Sequence, residues 1–162
     1  MSHLAIQNKL KLPIYLRIDP IIPDDIKNAI KSAISEWNNI RPCFLIDESE
    51  TSTYNVQSSA MTWVNMYTGI LHIGKEGSQF INYWIKHELG HLLMFGDHIR
   101  ETTNPTGYIN PKVCTWPNDD YKGIMSYCYY NNIITEQDKE MVLREYPLNL
   151  IKRVRIPGVS RD

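Results

Sequence analysis

The chain lacks an excess charge of either sign, a long apolar run and any closely spaced pair of cysteines. Its 162 residues include 17 Lys and Arg against 18 Asp and Glu, a formal net charge of −1, so no basic field is present to hold nucleic acid. No apolar run approaches the ~18 residues needed to span a bilayer. The absence of a Cys-x-x-Cys pair argues against a cysteine-based zinc site.

The beginning of the chain contains no recognisable leader peptide. Residues 1–19 have neither an apolar central region nor a small-residue cleavage site. We therefore expect either a cytoplasmic protein or a mature secreted domain, with the compartment unknown. The length and the 43% of hydrophobic residues are typical of one domain with a substantial core.

Three cysteines leave one question open. Cys114 and Cys128 flank a loop-like segment and can form a disulfide in an oxidising compartment. The alternative is two free thiols, and Cys43 is expected to be free in both cases.

The N-terminal part predicts a strand, a helix and a second strand. Apolar and polar residues alternate in LPIYLRID, residues 12–19, as in a strand with one buried face. Apolar residues recur at helical spacing in residues 23–42, where Pro42 should follow the end of the helix. CFLIDE, residues 43–48, predicts a second short strand. A strand–helix–strand order favours a parallel pair.

The middle of the chain is harder to assign. Residues 49–60 give no clear pattern, and MTWVNMY, residues 61–67, is weakly strand-like. TGILHIG, residues 68–74, is a better strand, which we expect at the edge of the sheet with His72 exposed on it. SQFINYWIKHELGHLLMF, residues 78–95, predicts a long helix.

The remainder combines an irregular segment with a last helix. Residues 96–132 are rich in Pro, Gly, Asn, Asp and Thr, and so long a loop is typical of a functional or ligand-held segment. TEQDKEMVLREYP, residues 135–147, predicts a helix with Thr135 as N-cap and Pro147 as its stop. A basic tail, residues 148–162, follows.

HELGH, residues 87–91, has the spacing of a zinc site. His87 and His91 lie four apart, so a helix places both imidazoles on one face within reach of one tetrahedral ion. Zinc lowers the pKa of a bound water, and Glu88 can take its proton as the water attacks a carbonyl. The alternative is an ordinary amphipathic helix with two surface histidines. The apolar surroundings favour the metal, since burying Glu88 without one is costly.

HELGH followed by Gly96, Asp97 and His98 resembles the metzincin clan of zinc endopeptidases, whose pattern is HExxHxxGxxH or, in a minority, ends in Asp. Met94 occupies the glycine position. The ungapped count makes Asp97 the third ligand, as in snapalysin-like members. A one-residue shift makes it His98. That choice is favoured if Gly96, and not Met94, forms the left-handed turn that ends the helix, and by the greater frequency of histidine as third ligand in the clan. We predict His98, with Asp97 as the alternative.

YKGIMSY, residues 121–127, resembles the metzincin Met-turn, which places Met125 beneath the metal. Without the resemblance, Met125 is simply a core methionine. Tyr127 matches the tyrosine that assists catalysis in astacin-like and serralysin-like members, where a phenol can donate to the oxyanion. Its alternative role is that of a buried tyrosine bonded to a backbone carbonyl. The resemblance extends over most of residues 12–147.

The resemblance implies an α+β metzincin-like fold, with an α/β-like N-terminal half. It has a mixed, mostly parallel twisted sheet, an antiparallel edge strand, a backing helix, an active-site helix and a C-terminal helix after the Met-turn. We expect one catalytic domain over residues 1–162. Its upper subdomain is residues 12–95, with the sheet and the active-site helix. Its lower subdomain is residues 96–147, with the Met-turn and the closing helix.

The implied function is that of a zinc-dependent endopeptidase with one catalytic Zn²⁺, acting as a monomer on peptide or protein substrates. Its general base is Glu88. Two alternatives remain: a glutamate-ligated zinc peptidase, with Glu101 or Glu136 as third ligand, and a catalytically silent zinc-containing binding module.

Overall fold

The computed structural model describes residues 11–47, 54–74, 78–95, 123–125 and 132–151. Five strands and three helices occur in these ranges. The strands are β1 Ile14–Ile18, β2 Phe44–Ile46, β3 Tyr54–Ser58, β4 Trp63–Asn65 and β5 Ile70–Ile73. The helices are α1 Asp24–Asn38, α2 Ser78–Leu92 and α3 Glu136–Glu145, after which Leu148–Leu150 form a short 3-10 helix.

The strands form one sheet in the order β2-β1-β3-β5-β4. Three of the four pairings are parallel, and only β4 runs antiparallel, against β5. The predicted mixed, mostly parallel sheet with an antiparallel edge is therefore confirmed. So is the parallel pairing of the strands that flank α1.

The assignment of the edge strand was wrong. β5, which contains His72, pairs with β3 on one side and β4 on the other, so the antiparallel edge strand is β4. His72 does not lie on an open edge, because its ring stacks on Trp63 of β4 with centroids 4.2 Å apart and planes 8° apart. The preceding segment supplies the edge because a tight hairpin turn, with Gly69 at φ 69°, folds β4 back onto the outer side of β5.

Strand β3 was not recognised in the sequence. Its Tyr54 and Val56 are buried while Asn55 and Gln57 are exposed, a strict alternation of two apolar and two polar residues. This alternation spans only four residues within a polar segment, and so short a two-residue period does not distinguish a strand from a loop.

The core lies between the sheet and the two long helices. α1 buries Ile30, Ala33, Ile34 and Trp37, a set with helical spacing that faces α2. Trp37 is completely buried, and its Nε1–H donates to Lys86 O of α2 at 3.1 Å. This hydrogen bond satisfies the indole in the core and fixes α2 against α1.

The described part of the C-terminal region packs against the sheet. Leu12 N–H donates to Leu150 O at 2.9 Å, and Leu12 forms a parallel bridge with Ile151. Thr135 is the N-cap of α3, and Pro147 follows its end, as predicted. Among the residues described, no helix combines the length and apolarity that a bilayer-spanning segment requires.

Candidate metal centre

Helix α2 brings His87, Glu88 and His91 together at the inner side of the molecule. Their potential ligand atoms all lie within 4.8 Å of one another. His87 is fully buried and Glu88 is 5% exposed. Donors to a tetrahedral zinc with bonds of ~2.0–2.1 Å are about 3.4 Å apart, a separation that lies within the 4.8 Å spread of this group.

Both imidazoles are oriented by backbone carbonyls. His87 Nδ1 lies 2.8 Å from Ile124 O, and His91 Nδ1 lies 2.8 Å from Phe95 O. A carbonyl oxygen can only accept, so each Nδ1 carries the proton and each Nε2 carries the lone pair. This is the tautomer that ligates zinc through Nε2, held by the kind of partner that fixes metal-binding histidines. The residues present therefore fit a zinc ion.

A buried carboxylate holds the turn that orients His87. Ile124 N–H donates to the carboxylate of Asp138, at 3.0 Å from Oδ2 and 3.2 Å from Oδ1. The same carboxylate accepts Thr135 N–H at 2.8 Å and completes a capping box at the start of α3. Asp138 thus joins the N-terminus of α3 to the residue whose carbonyl fixes His87.

Met125 packs directly on α2 at Gly90. It is fully buried, and a β-carbon added at Gly90 would overlap its Sδ. Glycine at residue 90 thus leaves the space that the Met125 thioether occupies on the helix. This packing supports the role beneath the metal that the resemblance implies for Met125.

The end of α2 forms the second orienting turn. Met94 N–H donates to His91 O at 2.8 Å, and Phe95 N–H donates to Gly90 O at 3.1 Å. These are the two hydrogen bonds of a Schellman motif. Met94 occupies its left-handed position with φ 67°, a conformation that costs a non-glycine residue roughly 1–2 kcal/mol.

This turn corrects one argument made from the sequence. The prediction of His98 assumed that Met94 resists the left-handed conformation and that α2 continues to Gly96. Instead α2 ends at Leu92, and Met94 itself makes the turn at the position where the pattern has glycine. The turn argument for His98 is therefore wrong, and only the frequency of histidine as third ligand still favours it.

Several predicted residues lie outside the described ranges. These are Asp97, His98, Glu101 and Tyr127, together with Cys114 and Cys128. Cys43 is free and buried, as expected. Glu136 is paired with Lys139 on the surface of α3, with its side chain 82% exposed. It is not part of the His87–Glu88–His91 group.

Two supporting residues were missed in the sequence, Asp138 and Lys86. Thr135 and Asp138 have the spacing of a capping box, which was a usable signal. Lys86 gave none, since a lysine beside HELGH suggests solvent. It is 5% exposed, and its Nζ lies 2.8 Å from Glu36 Oε2 and 2.7 Å from Asn132 O. The ammonium therefore ties α1 and α2 to the segment that leads into α3.

Comparison with known proteins identifies the fold. No protein-family model matches the chain, and no curated protein matches it. Solved structures do. Myroilysin superimposes with a TM-score of 0.62 at 14% identity, covering 85% of this chain and 80% of that one. A second myroilysin structure gives 0.57 at 17% identity, with 83% of each chain covered.

A third similar structure is high choriolytic enzyme 1, a hatching-enzyme zinc protease from the medaka fish Oryzias latipes. Its TM-score is 0.62 at 17% identity, and the match covers 88% of this chain and 96% of that one. Identities this low establish the fold and not the activity. The chain accordingly has the metzincin-like α+β fold that its sequence predicted, in the form found in a zinc protease.

Proposed function

We propose that this chain is a zinc-dependent endopeptidase. The observation that carries the proposal is the pair of 2.8 Å contacts from His87 Nδ1 and His91 Nδ1 to backbone carbonyls. They present both Nε2 lone pairs beside Glu88, a carboxylate that is 5% exposed. The zinc-protease fold of a structural neighbour supports the same conclusion.

The roles of the residues follow from this arrangement. His87 and His91 would hold one Zn²⁺, with Asp97 or His98 as third ligand. The ion would acidify water and polarise the scissile carbonyl. Glu88 accepts the proton of the attacking water and returns it to the leaving amine. Tyr127 is proposed to donate a hydrogen bond to the developing oxyanion.

The substrate is proposed to be a peptide or protein bound in extended form. The outer side of β4, the antiparallel one of the two edge strands among those described, offers main-chain donors and acceptors to an extended chain. A monomer with an upper and a lower subdomain around the cleft remains our expectation. For Cys114 and Cys128 both readings stay open, a disulfide in an oxidising compartment or two free thiols.

The test is cleavage of casein or a peptide library with and without a zinc chelator. Glu88→Gln should lower kcat by about 10²–10⁴-fold, the usual contribution of a general base, while zinc stoichiometry stays at one. The matched control is Glu140→Gln on the exposed side of α3, which should keep full activity. Equal cleavage by wild type and Glu88→Gln would eliminate the proposed mechanism.

Zinc stoichiometry also decides the third ligand. If Asp97 is the ligand, Asp97→Ala loses zinc and His98→Ala retains it, and the reverse holds if His98 is the ligand. A protein that binds one zinc ion tightly but cleaves nothing would instead support the silent binding module.

A further inference from the structure

Tyr146 lies at the far end of α3 and contacts the turn that ends α2. It is fully buried, and its hydroxyl donates to Leu93 O at 2.7 Å. Its ring meets the ring of Phe95 edge-on, with centroids 6.5 Å apart and planes at 76°. The hydroxyl and the ring therefore contact the residues on either side of Met94.

The turn between these contacts needs external support. Met94 adopts a left-handed conformation that glycine takes readily and methionine does not. Local sequence preference would release this turn, and with it the Phe95 carbonyl that lies 2.8 Å from His91 Nδ1. Fixed tertiary contacts on Leu93 and Phe95 oppose that release.

Burial raises the pKa of the Tyr146 phenol well above its usual range. The hydroxyl therefore keeps its proton at any pH used for a peptidase assay. It remains a hydrogen-bond donor to Leu93 O throughout.

We propose that Tyr146 is a positioning residue for the metal site. Its hydroxyl holds the Met94 turn closed, the turn holds Phe95 O on His91 Nδ1, and that contact aims His91 Nε2 at the zinc. The proposal rests on the zinc site of the proposed function. It assigns to this chain a tyrosine that compensates for the absence of glycine at residue 94.

The experiment measures the zinc affinity of the apo protein by competition with a chromophoric chelator. Tyr146→Phe removes only the hydroxyl and should weaken zinc binding about 10-fold, the lower end of the effect of outer-shell partners. Met94→Gly should restore it: the double variant should bind zinc within about threefold of Met94→Gly alone, because the turn no longer needs the hydroxyl.

A matched control is Tyr54→Phe. Tyr54 is also a buried tyrosine, but its hydroxyl donates to Met66 Sδ at 3.8 Å. It should leave zinc affinity unchanged. Substitution with Co²⁺ gives a second readout, since its visible absorption should change in Tyr146→Phe and return in the double variant.

The outcomes separate this inference from the proposed function. A wild-type protein that binds no zinc overturns both. Tight zinc binding by wild type and equally tight binding by Tyr146→Phe overturns the role of Tyr146 alone. A loss of affinity in Tyr146→Phe that Met94→Gly does not repair also overturns it, because general loosening of the core would then be the cause.

Discussion

The turn of residues 123–125 and the turn of residues 93–95 each present one backbone carbonyl to a histidine of α2, but different chemistry holds them. The first is fastened by the Asp138 carboxylate, which accepts the Ile124 N–H. The second is fastened by the neutral hydroxyl of Tyr146 on Leu93 O, and it contains a left-handed methionine.

The two side chains that hold these turns, Asp138 and Tyr146, lie at opposite ends of α3. Asp138 lies in its first turn and Tyr146 at its C-cap. A single ten-residue helix thus sets the direction of both imidazoles. The turn of residues 123–125 has the stronger support. A hydrogen bond to a charged acceptor such as Asp138 contributes about 1.5–3 kcal/mol to stability, and a neutral one such as that of Tyr146 about 0.5–1.5 kcal/mol.

The largest effect on stability and zinc affinity should follow from replacing the Asp138 carboxylate. Asp138→Asn keeps one oxygen and turns the other into an NH₂ group. If the amide oxygen takes the place of Oδ2, which accepts Thr135 N–H, the NH₂ group lies against Ile124 N–H in the place of Oδ1. We expect the free energy of unfolding to fall by about 2–3 kcal/mol. Zinc affinity should fall by roughly 10-fold or more, as for other outer-shell partners. Urea denaturation and chelator competition measure the two quantities.

The control for this change is Glu140→Gln, which removes an exposed carboxylate two residues further along α3. It should change stability by less than about 0.5 kcal/mol. If Asp138→Asn retained wild-type zinc affinity, the two turns would not differ in the way proposed, since the carboxylate would then serve only the helix cap.

A second change tests whether the two turns are independent. Gly90 meets both: the Met125 Sδ occupies the place that a β-carbon would take at this residue, and the Gly90 carbonyl accepts Phe95 N–H. Gly90→Ala should destabilise the fold by up to about 2 kcal/mol, because repacking of the buried Met125 side chain costs about 1–3 kcal/mol and the gain in helix propensity offsets about 1 kcal/mol of it. Urea denaturation of the variant measures this.

Coupling appears in the double variant with Met125→Ala. The alanine at residue 90 then has room. The double variant should therefore lose less free energy of unfolding than the sum of the two single losses, by at least about 0.5 kcal/mol. Strict additivity would show that Met125 is not the side chain that requires glycine at residue 90.

The smallest effect concerns the layer behind both turns. Trp37 lies against Phe95, with ring centroids 6.3 Å apart, and it also lies near Gly90. The Sγ of Cys43 lies 3.5 Å from the carbonyl oxygen of Trp37. Burial raises the pKa of Cys43 from 9.0 to about 12. The neutral thiol is favoured in the fold, so its contribution is complete below pH 9 and is lost as the pH rises towards 12.

Between pH 9 and 10 this loss should be about 1 kcal/mol. Cys43→Ala should flatten the dependence of unfolding free energy on pH in that interval by the same amount, whatever its effect on absolute stability. Denaturation at pH 8, 9 and 10 measures the difference. An identical slope in the variant would show that the thiol is not buried behind the turns as described.

Much of the fold followed from local pattern. The alternation in β1, the helical spacing in α1 and the cap and stop of α3 each depend on a few neighbouring residues, and all three elements were predicted correctly. Strand order was less accessible. β4 and β5 both have strand-like sequences, and only the long-range pairing of β5 with β3 shows which of them is the edge.

In the candidate site, too, some features follow from local sequence and others depend on distant contacts. The spacing of HELGH predicts that His87, Glu88 and His91 share one helix face, because 3.6 residues per turn dictate it. Nothing local predicts the left-handed Met94, since the intrinsic preference of methionine is opposed to it and distant contacts prevail. The carbonyls of Ile124 and Phe95 have no side-chain signal at all, so their part in orienting the histidines was invisible in the sequence.

The reach of α3 back to α2 has a consequence for the order in which the site is completed during synthesis. The partner of His87 lies 37 positions further along the chain, and Tyr146 acts on a carbonyl 53 positions before it. When only HELGH has emerged from the ribosome, the nascent chain therefore lacks both orienting turns, and it lacks Asp138 and Tyr146, which hold them. Such contacts of high sequence separation form late. Tight metal capture, and hence any hydrolytic activity, should begin only after residue 146 has emerged and α3 has docked.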